Sequence, residues 1–202
     1  MGKSKKSQSQ LIQKKRQKRA DRTKERKVAQ RAVSIINKIV FCLAPSNEQL
    51  KTKGIGTVLV VTSSSSIALR VTVFLVDSFC LGVKKVDSFN IASADLAQMV
   101  EAIQQNEESQ EVSVSYAKKL VEDAIAWSSS LGFSPSPDVL KALQVFKNTS
   151  SATCGELFEF GSKGKPFYIA GPKDSIEFSK LVCKTLEKSC GEGGYNYVVE
   201  AI

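Results

Sequence analysis

The sequence contains no histidine, and its five cysteines (Cys42, Cys80, Cys154, Cys183, Cys190) include no C-x-x-C pair. Without histidine there is no Ser-His-Asp triad, no Cys-His pair and no H-E-x-x-H zinc site, so the commonest general base and the commonest zinc ligand are both excluded. An odd, scattered set of cysteines with no signal-like segment does not form a disulfide framework. Nor is there an apolar run approaching the ~20 residues that span a bilayer. The stretch Val71–Val76 is interrupted by Thr72, and the apolar residues after position 33 by Asn37 and Lys38. These absences point to a cytoplasmic location. No metal-ligating set and no cofactor motif is visible. A Walker pattern G-x-x-x-x-G-K-[ST] is missing even at Gly161–Lys165.

What the chain has in excess is positive charge in one place. Residues 1–31 hold thirteen Lys and Arg against Asp21 and Glu25 only, a net +11. The whole 202-residue chain carries +9, so the remainder is slightly acidic. The basic stretch is rich in Gln and Ser and poor in apolar residues, and cannot bury enough surface to offset its ordering entropy. It reads as an arm, disordered or a frayed helix, followed by a single globular domain over 32–202.

Lys14, Lys15, Arg16, Lys18, Arg19, Arg22, Lys24, Arg26, Lys27 and Arg31 are the candidate nucleic-acid-binding residues. Cations in this density neutralise phosphates and release counterions. No aromatic residue interleaves with them, so recognition through the backbone is expected rather than base stacking. RNA or the ribosome is favoured over DNA, since no helix-turn-helix or zinc-finger pattern is present. Lipid binding is weaker on this pattern: Lys6 stands where a myristoylation signal wants Ser or Thr, and the arm has no apolar face.

Beyond the arm, Val28, Ala32, Ile35, Ile39 and Cys42 fall on one helical stripe, which predicts a docking helix over 32–43 ended by Pro45. Pro45–Gly56 reads as a loop. Thr57–Thr62 and Ile67–Val76 are β-branched runs flanking Ser63–Ser66, which predicts a hairpin whose second strand is central and buried on both faces. A third strand is expected near Leu81–Ile91. Helices follow over Ser93–Gln104, capped by Ser93, over Ser113–Leu131, stopped near Gly132, and over Pro137–Phe146. Glu156–Phe160 and Pro166–Ala170 flank a glycine-containing turn and read as a second hairpin, before a helix running to about Cys190. The fold class is therefore α+β: an antiparallel sheet of about five strands with four to five helices, preceded by the basic arm.

Two segments carry a resemblance. VFLVDSFCLGVKK (Val73–Lys85), then Gly132-Phe133-Ser134-Pro135, then Glu159-Phe160-Gly161 through Gly164-Lys165-Pro166-Phe167-Tyr168, resemble an uncharacterised group of bacterial proteins with FLVDxxCLGVK, GFxP and EFGxxGKPxY-type motifs. The order and spacing match over roughly 57–172. The resemblance implies a recurring domain and brings no activity with it.

Within that domain Asp77, Cys80 and Lys84 are the candidate catalytic residues: a carboxylate at a strand end, a thiol three residues on and a nearby ammonium. Asp77 could serve as a base or metal ligand and Lys84 could hold an oxyanion. The structural alternative is that Asp77 caps a turn, Cys80 is a small buried hydrophobe and Gly82 permits a bulge. Gly171–Ser175, with Lys173, offers a helix start to an anion, although Asp174 supplies negative charge there itself. The sequence thus favours a non-enzymatic binding protein that engages RNA or a ribonucleoprotein. A phosphoester-acting or metal-assisted hydrolase centred on Asp77 and a protein-interaction module are the alternatives.

Overall fold

The computed structural model describes residues 15–23, 38–63 and 69–199. The chain divides into two units, Met1–Lys38 and Ile39–Ile202. In the first unit, residues 15–23 form a helix (α1) with every side chain exposed. Of the candidate arm residues, Lys15, Arg16, Lys18, Arg19 and Arg22 lie on it. Lys14, Lys24, Arg26, Lys27 and Arg31 lie outside the described residues.

The second unit is a five-stranded antiparallel sheet with helices on both faces, followed by a small parallel pair of strands. Its elements are β1 (Ile39–Pro45), α2 (Asn47–Lys53), β2 (Ile55–Ser63), β3 (Leu69–Asp77), β4 (Gly82–Ile91), α3 (Ser93–Asn106), β5 (Ser109–Glu111), α4 (Val114–Ser130), α5 (Pro137–Ala142), β6 (Phe167–Ile169), α6 (Ile176–Cys190) and β7 (Asn196–Val198). Short 3₁₀ turns cover Leu143–Phe146 and Ser151–Thr153. The main sheet runs β4-β3-β2-β1-β5, and β6 pairs with β7 alone.

Alternation along the strands builds two apolar layers. Cys42, Ala44, Val58, Val60, Phe74 and Val76 point to one face and meet Ala117, Leu120, Val121 and Ala124 of α4, together with Phe146. Leu43, Leu59, Val61 and Val71 point to the other face, covered by Leu96, Met99, Val100 and Ile103 of α3. Burial on both faces explains why Val58–Val61 of β2 are apolar in succession. The start of α4 is set by the Ser113 hydroxyl, which accepts the Tyr116 N–H. The carboxylate of Glu107, just after α3, accepts both the N–H and the hydroxyl of Thr57 at 2.7 Å each.

Several sequence-based expectations change here. The docking helix over 32–43 is overturned where the residues are described: 39–45 is β1, paired with β2 and β5, while 32–37 lies outside the described residues. Ile39–Ala44 is apolar in succession because β1 is an interior strand, and such a run satisfies helical spacing as readily as strand burial. Pro45–Gly56 contains α2, capped by Ser46 and closed by Gly54 in the left-handed region. The central strand of the sheet is β2, with β3 beside it. Ser93 is the first residue of α3, and the residue before it, Ala92, makes no side-chain cap. The second hairpin does not form: Phe167–Ile169 pairs in parallel with Asn196–Val198, and the Gly161–Lys165 turn retains one bridge, between Ser162 and Lys165. No helix among the described residues is long and apolar enough to cross a membrane.

Candidate functional site

β3 ends at Asp77, and the turn Asp77-Ser78-Phe79-Cys80 returns the chain into β4. Asp77 is only 7 % exposed, yet its Oδ1 accepts the N–H of Phe79 at 3.0 Å and of Cys80 at 2.9 Å. The carboxylate therefore closes its own turn. Burial pushes its pKa up to about 6, against the pull of these amides and of Lys84. Cys80 is fully buried, and burial followed by the nearby Asp77 charge drives its thiol well above the ordinary range. A thiol in that state is a packing group rather than a nucleophile.

Other groups of the turn hold its neighbours. The Ser78 hydroxyl donates to Leu50 O, and the Ser78 N–H to Gly54 O. Ser78 O and Phe79 O accept from Gly161 N and Phe167 N. The Phe79 and Phe167 rings stack at 5.9 Å. Gly82, which starts β4, has φ +68°, and a Cβ there would lie 2.6 Å from Ala124 O and 2.4 Å from Ser128 Oγ. Glycine is required at this point because the turn runs directly against α4.

Lys84 owes its direction to a bulge. Leu75 is opposite Lys85 and Val76 is opposite Val83, so Lys84 is the extra residue of β4. Bulges re-aim side chains, and here the ammonium reaches Asp174 Oδ2 at 3.0 Å. The same oxygen accepts from Gly171 N at 2.9 Å and from Tyr168 Oη at 3.0 Å. Tyr168 Oη also lies 3.0 Å from Ser179 Oγ on α6. Partial burial raises Asp174, but the Gly171 amide, the Lys84 ammonium and the Tyr168 hydroxyl outweigh it and hold the carboxylate below its usual value. Burial and Asp174 together push Tyr168 up to about 12. Tyr168→Phe is expected to cost about 1 kcal/mol, the net worth of a buried hydroxyl bond, measured by chemical denaturation. A loss under a few tenths would show that Asp174 holds Lys84 without it.

The Asp77, Cys80 and Lys84 of the sequence reading are thus in one region, joined by Tyr168, Asp174 and Ser179, which sequence spacing did not connect to them. Tyr168 lay in the EFGxxGKPxY-type segment and Asp174 in the Gly171–Ser175 step, and here Asp174 bonds both Tyr168 and Lys84. The Gly171–Ser175 step is occupied from within, with Ser175 capping α6 by accepting the Phe178 N–H and Asp174 turned toward Lys84. Cys183 and Cys190 pack on the same apolar cluster as Cys80, with Leu131, Val182 and Leu186. Among the described residues, no three His, Cys, Asp or Glu side chains converge to hold a metal ion.

The second candidate site is α1. At 100° per residue, Lys15, Lys18, Arg19 and Arg22 occupy one face, with Arg16 and Asp21 at its two margins and Gln17 and Ala20 opposite. Thr23 donates to Arg19 O at 2.8 Å within the helix. This is a solvated cationic stripe that could lie along phosphates.

The fold and these sites define an α+β domain with a motif-lined polar junction, accompanied by a cationic helix. Comparison with protein-family models, with curated proteins and with solved structures returns no match for the chain.

Proposed function

We propose that the protein is a non-enzymatic binding protein that engages RNA or a ribonucleoprotein, the ribosome included, through its basic N-terminal arm. The carrying observation is the stripe of Lys15, Lys18, Arg19 and Arg22 on one exposed face of α1, within a segment of net +11 attached to a slightly acidic remainder. Such a stripe attracts phosphates by counterion release, with affinity that falls steeply as salt rises. The absence of aromatic residues from the arm fits backbone contact with low sequence selectivity. The internal engagement of Asp77, Cys80 and Lys84, each held by its own turn, core or ion pair, supports a binding role over a reaction centred on them.

The test is the salt dependence of binding to single-stranded RNA. Deleting residues 1–31 should abolish binding at physiological ionic strength. Replacing Lys15, Lys18, Arg19 and Arg22 together with Gln should lower the slope of log affinity against log salt by about 3, from roughly 0.7 per cation on a single strand. Equal affinity and slope in parent and arm-deleted protein would overturn the reading.

A further inference from the structure

β4 is an edge strand ten residues long, whereas β5 at the opposite edge has three. Apart from its pairing with β3, no backbone hydrogen bond joins β4 to another described residue. Its outer N–H and C=O groups are therefore a template for a further strand. Charged side chains normally guard such an edge, and here Lys85 and Asp87 stand exposed on it, paired with each other at 2.6 Å. Their placement is what makes the edge informative. They flank Val86 symmetrically.

We propose that β4 pairs with β4 of a second copy of this chain, antiparallel about a twofold axis at Val86, joining two five-stranded sheets. In an antiparallel pair related by a twofold axis, the axis must pass through a residue, because opposed residues share hydrogen-bonding parity. Centring on Val86 alone places Lys85 opposite Asp87 of the other copy, and does so twice. Centring on Lys85 or Asp87 places one of these charges at the axis, opposite its own copy. Centring on Ser88 leaves each charge facing an apolar residue, Lys85 opposite Ile91 and Asp87 opposite Phe89. Opposed charges facing each other stabilise neighbouring strands, while like charges directly opposite weaken them. Lys85 and Asp87, which protect the edge from indiscriminate pairing, thus become complementary in this one register.

The register can be read from sedimentation of the full chain across a concentration series. The parent should show a monomer–dimer equilibrium. Lys85→Asp places carboxylates at both positions and Asp87→Lys places ammonium groups at both. Each should raise the dimer dissociation constant about tenfold or more, and an equimolar mixture of the two should restore dimer as the heterodimer. The swapped variant Lys85→Asp/Asp87→Lys should dimerise with itself like the parent and fail to exchange subunits with it. This swap keeps the test decisive should a single substitution fail to fold. A parent that remains monomeric overturns the proposal. So does a dimer indifferent to the single substitutions, or a swapped protein that mixes freely with the parent. Arm deletion, which tests RNA binding, should leave the dimer constant unchanged, so the two readings fail separately.

Discussion

Phe74→Ala should destabilise the second unit by about 3–5 kcal/mol, the usual cost of emptying a buried phenylalanine site. Phe74 has no exposed surface, faces α4 from the middle of β3, and stacks on Phe146 at a centroid distance of 5.8 Å. Removing the ring leaves a cavity bounded by sheet, α4 and the 3₁₀ turn over Leu143–Phe146. Sheet and α4 are each fixed by their own hydrogen bonds, so the walls cannot collapse to fill it. The thermal midpoint should fall by roughly 10 °C, on the scale of 2–4 °C per kcal/mol for a chain of this size. Leu157→Ala provides the comparison: Leu157 is 83 % exposed, and its loss should change stability by no more than about 0.5 kcal/mol. Similar midpoints for the two variants would contradict the burial on which both layers of the core depend.

Asp77→Asn is expected to stabilise the protein above pH 6 and to do nothing below pH 4. Burial raises the folded pKa of Asp77 from 3.8 to about 6, so the folded state holds this proton more tightly than the unfolded chain. Its contribution is fully present below the unfolded pKa and is lost as pH rises through the folded one. An uncharged amide keeps an oxygen for the Phe79 and Cys80 amides and avoids the cost of the buried charge. The stability difference between variant and parent should therefore grow from near zero at pH 4 to about 2–3 kcal/mol at pH 8, at 1.36 kcal/mol per unit. Asp174 works in the opposite sense. Its pKa is lowered, so its stabilisation exists above the unfolded value and disappears as pH falls through the folded one. That acid limb is common to both proteins and cancels in the difference. Denaturant unfolding from pH 4 to 8 measures that difference, and a difference independent of pH would show that burial does not raise the Asp77 pKa.

The fold was legible where one period dominated. The β-branched runs of β2 and β3, the span of α4 with its stop near Gly132, and the end of α6 near Cys190 all declared themselves locally. β1 misled because it is apolar from Ile39 to Ala44, with Cys42, Leu43 and Ala44 buried in succession, and so carries no alternation. β5 was silent: Ser109, Gln110 and Glu111 join the sheet opposite Pro45, Ala44 and Leu43, and polar side chains give no sign of that. The parallel partnership of β6 and β7 depends on segments about thirty residues apart, which no turn signature encodes. Asp77, Cys80 and Lys84 could be singled out from their order along one strand–turn–strand unit. A bulge was expected from Gly82, but its place at Lys84 is fixed by pairing with β3, and nothing along the strand tied Lys84 to Asp174.

The single tryptophan also has a use. Trp127 of α4 stacks on Phe160 at 6.1 Å, and its buried indole N–H finds no hydrogen-bond acceptor among the described residues. Phe160 belongs to a stretch without helix or strand, yet it sets one wall of the indole's surroundings. Detachment of that stretch would open the ring to water and shift its emission to longer wavelength. The chain therefore contains its own optical reporter for the seating of residues 155–160, readable in unlabelled protein and separable from unfolding of the sheet.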